Sequence, residues 1–154
     1  METKRHPFTK AEVDYLVDEQ KFIKEVPSIV EHGNYSMMRA QVYRKVNKSY
    51  VPIKGLFVIA RVAIPIPGVP SAIPSAALEW AGRRIRGIDK ETRHDNPDGG
   101  SVYGWHSHIW SPEHEDSCVV STPEPKHKDM RGILKAGLKK WNIFVIEEQL
   151  EVLK

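Results

Sequence analysis

Apolar positions recur along this chain with two different periods, and each period predicts a different element. Thr9-Lys-Ala-Glu12 has the form of a capping box, and Val13, Leu16, Val17, Gln20 and Ile23 follow at helical spacing up to Pro27, which predicts a first amphipathic helix. After the turn signal His32-Gly33-Asn34, residues Met37 to Val46 are rich in β-formers and carry Arg39, Arg44 and Lys45, as an edge or half-exposed strand would. Lys48 falls in the next turn. Gly55 to Ile64 is almost unbroken apolar sequence with β-branched content, which suits a central strand. Pro65, Pro67, Pro70 and Pro74 then forbid ladder pairing, so 65–74 is expected to be a stiff, extended connection over the surface.

Strand character resumes from Ala76 to Asp89, with a bulge or bend expected at Gly82 where the phase mixes. Asn96-Pro-Asp-Gly-Gly100 supplies turn chemistry, so the stretch Arg83–Trp110 reads as a β-hairpin with a long loop. Ser111 to Asp116 is an acidic loop, Cys118 to Ser121 a short strand, and Thr122-Pro-Glu-Pro125 a break. Asp129 has the character of an N-cap for a closing helix through Trp141, with Ile133, Leu134, Leu138 and Trp141 on its buried face. Phe144-Val-Ile146 can add an edge strand. The elements predict an α+β fold: an antiparallel sheet of about four to six strands with an N-terminal and a C-terminal helix, in a single domain over 1–154.

A chain of 154 residues is long enough to bury a core. Its formal charge of +3 permits a nucleic-acid partner without requiring one. Cys118 is the only cysteine, which excludes an intrachain disulfide and a cysteine-built zinc site and suits a reducing cytosol. The N-terminus is charged, and no run approaches the ~18 apolar residues of a membrane span. A cytoplasmic protein with no membrane partner is therefore expected.

The candidate chemistry lies in the hairpin. Because side chains alternate along a strand, His106 and His108 point the same way, with Gly104 and Trp110 beside them, and Asp89 and Glu91 share a face of the incoming arm. If the faces coincide, two carboxylates and two imidazoles meet; the register that decides this is not written in the sequence. Five of the seven histidines lie between His94 and His127.

One reading is acid–base cleavage of RNA. Attack of a 2′-hydroxyl on phosphorus needs a base, an acid and cations around the phosphorane. His106, His108, Asp89 and Glu91 form the expected catalytic set; Arg83, Arg84 and Arg86, with Trp105 and Trp110, form the expected substrate-binding set. This reading requires no metal and no cofactor. A second reading is metal binding, since His-x-His on a strand delivers two imidazoles to one ion and Asp89, Glu91, His94, His114 or Asp116 can complete the shell. Gly104-Trp-His-Ser-His108 resembles the JAMM metalloproteases, but lacks the residue between tryptophan and first histidine, the proline after the second, and the downstream Ser-x-x-Asp. A noncatalytic nucleic-acid-binding or assembly module is the third reading.

Gly87-Ile-Asp89-Lys-Glu91, the Gly-rich loop and His106-x-His108 together resemble the core of TumE-like proteins, toxin halves of prokaryotic toxin–antitoxin pairs. The likeness covers roughly 38–141. Ile88 stands where that pattern has an aromatic and Lys90 where it has Asn, and the loop before His106 is longer. The resemblance implies a sheet core with closing helix over 35–154, preceded by a helical extension over 1–34. It further implies a toxin acting on RNA and neutralised by a helix-turn-helix antitoxin. A homo-oligomer is compatible with it.

Overall fold

The computed structural model describes residues 8–147, and its first element begins at the capping box. Thr9 Oγ1 accepts from the Glu12 backbone N–H at 3.2 Å while the Glu12 carboxylate accepts from the Thr9 N–H at 3.3 Å, starting α1 (Lys10–Asp18). Val13, Leu16 and Val17 are its buried residues. The helix stops well short of Pro27 because Lys21 turns back on it: the ammonium donates to the carbonyls of Val17 and Glu19, each at 2.7 Å, occupying acceptors that the helix end leaves open. Lys21–Ile23 is instead a strand, β1.

The order continues as β2 (Val30–His32), β3 (Tyr35–Val46), β4 (Ser49–Ala63), β5 (Ser75–Trp80), β6 (Arg83–Asp95), β7 (Ser101–Ser111), β8 (Glu115–Ser121), α2 (Met130–Lys140) and β9 (Ile143–Val145). All nine strands join one sheet in the order β8-β7-β6-β5-β4-β3-β1-β9, with β2 paired to β3 off this path. The β1–β9 pair is parallel and the others antiparallel. The expected antiparallel sheet of four to six strands is thus corrected to a mixed sheet, with nine strands and two helices among the described residues.

Two local features account for the difference. Ala81 and Gly82 both adopt positive φ, 51° and 76°, as a two-residue type I′ hairpin requires, so the presumed single strand Ala76–Asp89 is two strands folded back on each other. The three-residue strands β1 and β2 are too short to carry a pattern of their own, whereas β9, at the end of the sheet, is the edge strand expected at Phe144-Val-Ile146 displaced by one residue. Among the described residues, the segment expected as a helical extension is helical only over Lys10–Asp18, and its continuation β1 lies inside the sheet between β3 and β9. Of the two alternatives expected for β3 it is the half-exposed strand and not the edge: β4 pairs one side of it, and β1 and β2 the other.

One face of the sheet carries the core. Met38, Leu56, Val58, Ala60, Ala76, Leu78, Ile85 and Ile88 pack in one apolar cluster with Val13, Leu16 and Val17 of α1 and Ile133, Leu134 and Leu138 of α2. Asp129 caps α2 as expected, accepting from the Gly132 N–H at 2.9 Å. Gly137 has no side chain where the Trp141 ring lies over it; a Cβ there would come within 2.6 Å of the ring. The connection 64–74 has no regular structure. No helix among the described residues is long and apolar enough to cross a membrane.

Lys21 is fully buried, and burial pushes its ammonium down from the usual 10.5 to about 8 against the opposing pull of Glu19 and Asp18. The folded state therefore holds this proton less tightly than the unfolded chain does. The cost of the buried charge is in full force below about 8 and is relieved as pH climbs from there toward 10.5. Urea unfolding should show stability rising through this window by up to about 3 kcal/mol, and Lys21→Met should remove the rise. A wild-type profile as flat as the variant's would show that no ammonium is buried at the end of α1.

Candidate functional site

The face of the sheet opposite the helices is polar at one end, where β6, β7 and β8 adjoin. Backbone register sets Asp89 directly across from His106 and Gly87 across from His108, so the two arms do present their chemistry on one face. The imidazole centroids of His106 and His108 are 5.0 Å apart. Asp89 stands between them: its carboxylate lies 3.1 Å from His108 Nε2 and directly against His106 Nε2.

Strict alternation would turn His94 away from Asp89 and Glu91. Between the Glu91–Gly104 and His94–Val102 pairs, however, β6 has one more residue than β7, and this bulge resets the phase. Gly104 adopts a φ of 78° at the bulge, the left-handed conformation that glycine tolerates. His94 consequently swings over the other rings, with centroids 5.4 Å from His106 and 5.7 Å from His108. The hairpin tip continues across to β8, where Asn96 both accepts from the Val119 N–H at 2.8 Å and donates to the Val119 carbonyl at 2.9 Å. This fold-over buries His106 completely and His108 to 3 % exposure without help from a helix.

Each ring gives one N–H to a backbone carbonyl. His106 Nδ1 donates to Gly104 at 3.0 Å, His108 Nδ1 to Asp116 at 2.8 Å, and His94 Nε2 to Ser117 at 2.8 Å. The remaining nitrogens turn inward: those of His106 and His108 to Asp89, and that of His94 to Glu91 at 3.2 Å. Asp89, His106 and His108 form one set of ligand atoms within 4.8 Å of one another, and Glu91, His94 and His106 form another. Burial alone would raise the Asp89 carboxyl, but the hydrogen bond and charge of His108, with His106 and Arg84 behind it, outweigh burial and hold it below the ordinary range. The bond to the Ser117 carbonyl raises His94, aided by Glu91 and Asp89.

Of the three arginines, only Arg84 reaches this cluster. A second bulge, where Leu78 pairs Arg86 but Glu79 pairs Arg84, puts the two on opposite faces. Arg84 Nε donates to Asp116 at 2.7 Å and its guanidinium stands 3.7 Å from Asp89, whereas Arg86 is bonded to Asp14 of α1 at 3.0 Å. Arg83 lies 3.8 Å from Glu115. Gly87 leaves room for this packing, since a Cβ there would come within 3.1 Å of Arg84 Cδ and 3.3 Å of His108 Cδ2. Trp105 and Trp110 are in the helix-side core, Trp110 against Phe8 at 5.1 Å, so neither is presented to a ligand at the cluster. His114 is exposed in the turn before β8 and belongs to neither set of converging ligand atoms. Asn96 and the backbone of Asp116 and Ser117 were invisible as site elements in the sequence because their part depends on the fold-over.

No protein-family model, curated protein or solved structure matches this chain.

The Asn96 clamp is testable directly. Asn96→Ala removes both bonds to Val119, whose residue is 2 % exposed, at about 1 kcal/mol each. Hydrogen exchange should show the Val119 amide losing protection while amides of β4 and β5 keep theirs. Unchanged protection at Val119 would mean that Asn96 is not what holds the tip to β8.

Proposed function

We propose that the cluster of Asp89, His106 and His108 is a divalent-metal centre, with Glu91 and His94 beside it, and that the protein is a metal-dependent hydrolase. The observation that carries this reading is the direction of the nitrogens. With their Nδ1–H groups committed to Gly104 and Asp116, neutral rings of His106 and His108 turn lone pairs toward the carboxylate of Asp89, an arrangement that repels unless a cation intervenes. Two protons could serve, making two buried imidazoliums with centroids 5.0 Å apart and Arg84 close by. One divalent ion supplies the same charge while using every lone pair as a ligand. Donation of the second ring N–H to a backbone carbonyl is also how metal-bound histidines are commonly oriented.

A divalent ion held there supplies Lewis acidity to the bond being hydrolysed. Glu91 and His94 flank the centre on its more open side, with Glu91 44 % and His94 18 % exposed. His94 holds a proton more firmly than an ordinary histidine, so the pair is suited to exchange protons with a substrate. Arg84 is aimed at the same place and would neutralise developing negative charge.

A second reading, the metal-free endoribonuclease of a toxin–antitoxin pair with RNA as substrate, is favoured by one observation: the raised, partly exposed His94 next to Glu91. In that reading His94 takes over the role expected of His106, whose ring has no exposed atom with which to meet a 2′-hydroxyl.

Chelation separates the two. Protein purified from metal-replete medium should retain about one equivalent of zinc or a similar ion, and Asp89→Asn and His108→Ala should lose it while keeping the far-ultraviolet circular dichroism of the wild type. Hydrolysis should stop with a chelator and return with the ion. Protein free of metal whose RNA cleavage continues in EDTA would reject the metal centre in favour of proton transfer alone.

A further inference from the structure

Next to the centre, the open face of the sheet dips into a cleft of about 350 Å³ whose lining includes Ile59, Arg61, Ser75, Ala77, Glu79 and Arg84. Its origin can be read from the cross-strand row Ile59, Ala77, Gly87, His108: the two middle positions carry one methyl group and none. Longer side chains rise on either side. Arg61 comes from β4 and Arg84 from β6, strands that stand about 10 Å apart, two sheet spacings. Ser75 lies directly across from Arg61, and Glu79 directly across from Arg84.

We propose that this cleft is a phosphate-binding subsite, and that the substrate of the adjacent centre carries a phosphoryl group seated in it. The first half stands on the cleft alone; the second rests on the metal-hydrolase reading. Two features point to phosphate. Arg61 stands 4.0 Å from Glu79 and 3.9 Å from Met37 Sδ, contacts too long to consume its donors, while the pairing of Arg84 with Asp116 and Asp89 is made beside the cleft rather than inside it. Each guanidinium has five N–H donors; Arg84 commits Nε to Asp116, which fixes the plane of its fork and leaves other N–H groups for a ligand. Two forks on opposite walls and a serine hydroxyl ask for more acceptor oxygens than the two of a carboxylate, and a tetrahedral phosphoryl group offers them in the required spread. Arg84 then joins the subsite to the centre, because the same guanidinium lines the cleft and stands 3.7 Å from Asp89. A phosphoryl group held in the cleft therefore lies beside the proposed ligands.

Calorimetric titration of the full chain with inorganic phosphate, with sodium acetate as the carboxylate control, tests this. Wild type should bind phosphate with a Kd on the order of 1 mM and acetate at least tenfold more weakly. Arg61→Gln changes a side chain that is 49 % exposed and distant from the proposed ligands; it should weaken phosphate at least tenfold with metal content unchanged. Phosphate binding that survives Arg61→Gln but vanishes on chelation would mean that phosphate ligates the ion directly, and would overturn the subsite. Acetate binding as tightly as phosphate would overturn the phosphoryl assignment. Metal analysis of the same samples keeps the two claims apart: metal-free protein with Arg61-dependent phosphate binding rejects the centre and retains the subsite.

Discussion

A single carboxylate between two buried imidazoles sets the terms for this end of the molecule. Asp89 is the only acidic side chain facing both His106 and His108 at bonding distance among the described residues, and all three are held by groups from different strands. β6 supplies the carboxylate, β7 the rings, and β8 the Asp116 carbonyl that fixes the tautomer of His108. Removing one partner from such a buried set typically costs about 3–5 kcal/mol, because the remaining charge has nowhere to go. Electrostatics thus ties together three strands whose apolar contacts with the helices are few, and it asks for a compensating positive charge at the point where the lone pairs meet.

The bulges are what make that arrangement possible. Alternation alone can place Asp89 with Glu91 and His106 with His108, and the period of the sequence already carried that information. It cannot place His94 or choose between Arg84 and Arg86, since both outcomes depend on where an extra residue enters the ladder. A one-residue slip exchanges the faces of every side chain beyond it. Period alone therefore put His106 and His108 on the face that Asp89 shares, but it left Arg83, Arg84 and Arg86 as one group. The sequence reading also placed two tryptophans at the site that the structure assigns to the opposite, apolar face.

The same distinction runs through the fold. Capping signals at Thr9 and Asp129 act over three residues, so they could be read locally and both helices begin where they indicate. Strand number was not local information. Ile23 continues the apolar spacing of α1 and is buried, yet it is buried in β1, because Lys21 closes the helix and the chain gains ladder bonds from β3 and β9. Burial at one position is compatible with either element; only the partners decide. Ala81-Gly82 shows the converse, a turn in which alanine takes a left-handed conformation that its residue type does not advertise.

The two faces of the sheet divide the work of stability and chemistry. Helices cover one face, and its apolar cluster extends from α1 and α2 across β3 to β6 without drawing on the histidines. On the other face the rings are shielded by the hairpin's own bent tip, held to the edge strand by Asn96 and by the His94–Ser117 bond. Shielding of this kind rests on a few hydrogen bonds rather than on a large apolar area, so it belongs to the part of a protein that opens at low cost. A centre enclosed in this way can stay dry enough for strong electrostatic interactions and still admit a ligand by local bending of β6 and β7, while the helix-side core remains closed. The row of small residues at Ala77 and Gly87 extends that logic across the sheet: where no side chain fills the open face, a cleft remains that Arg84 lines on the side nearest the rings, and it is there that the proposed substrate would lie.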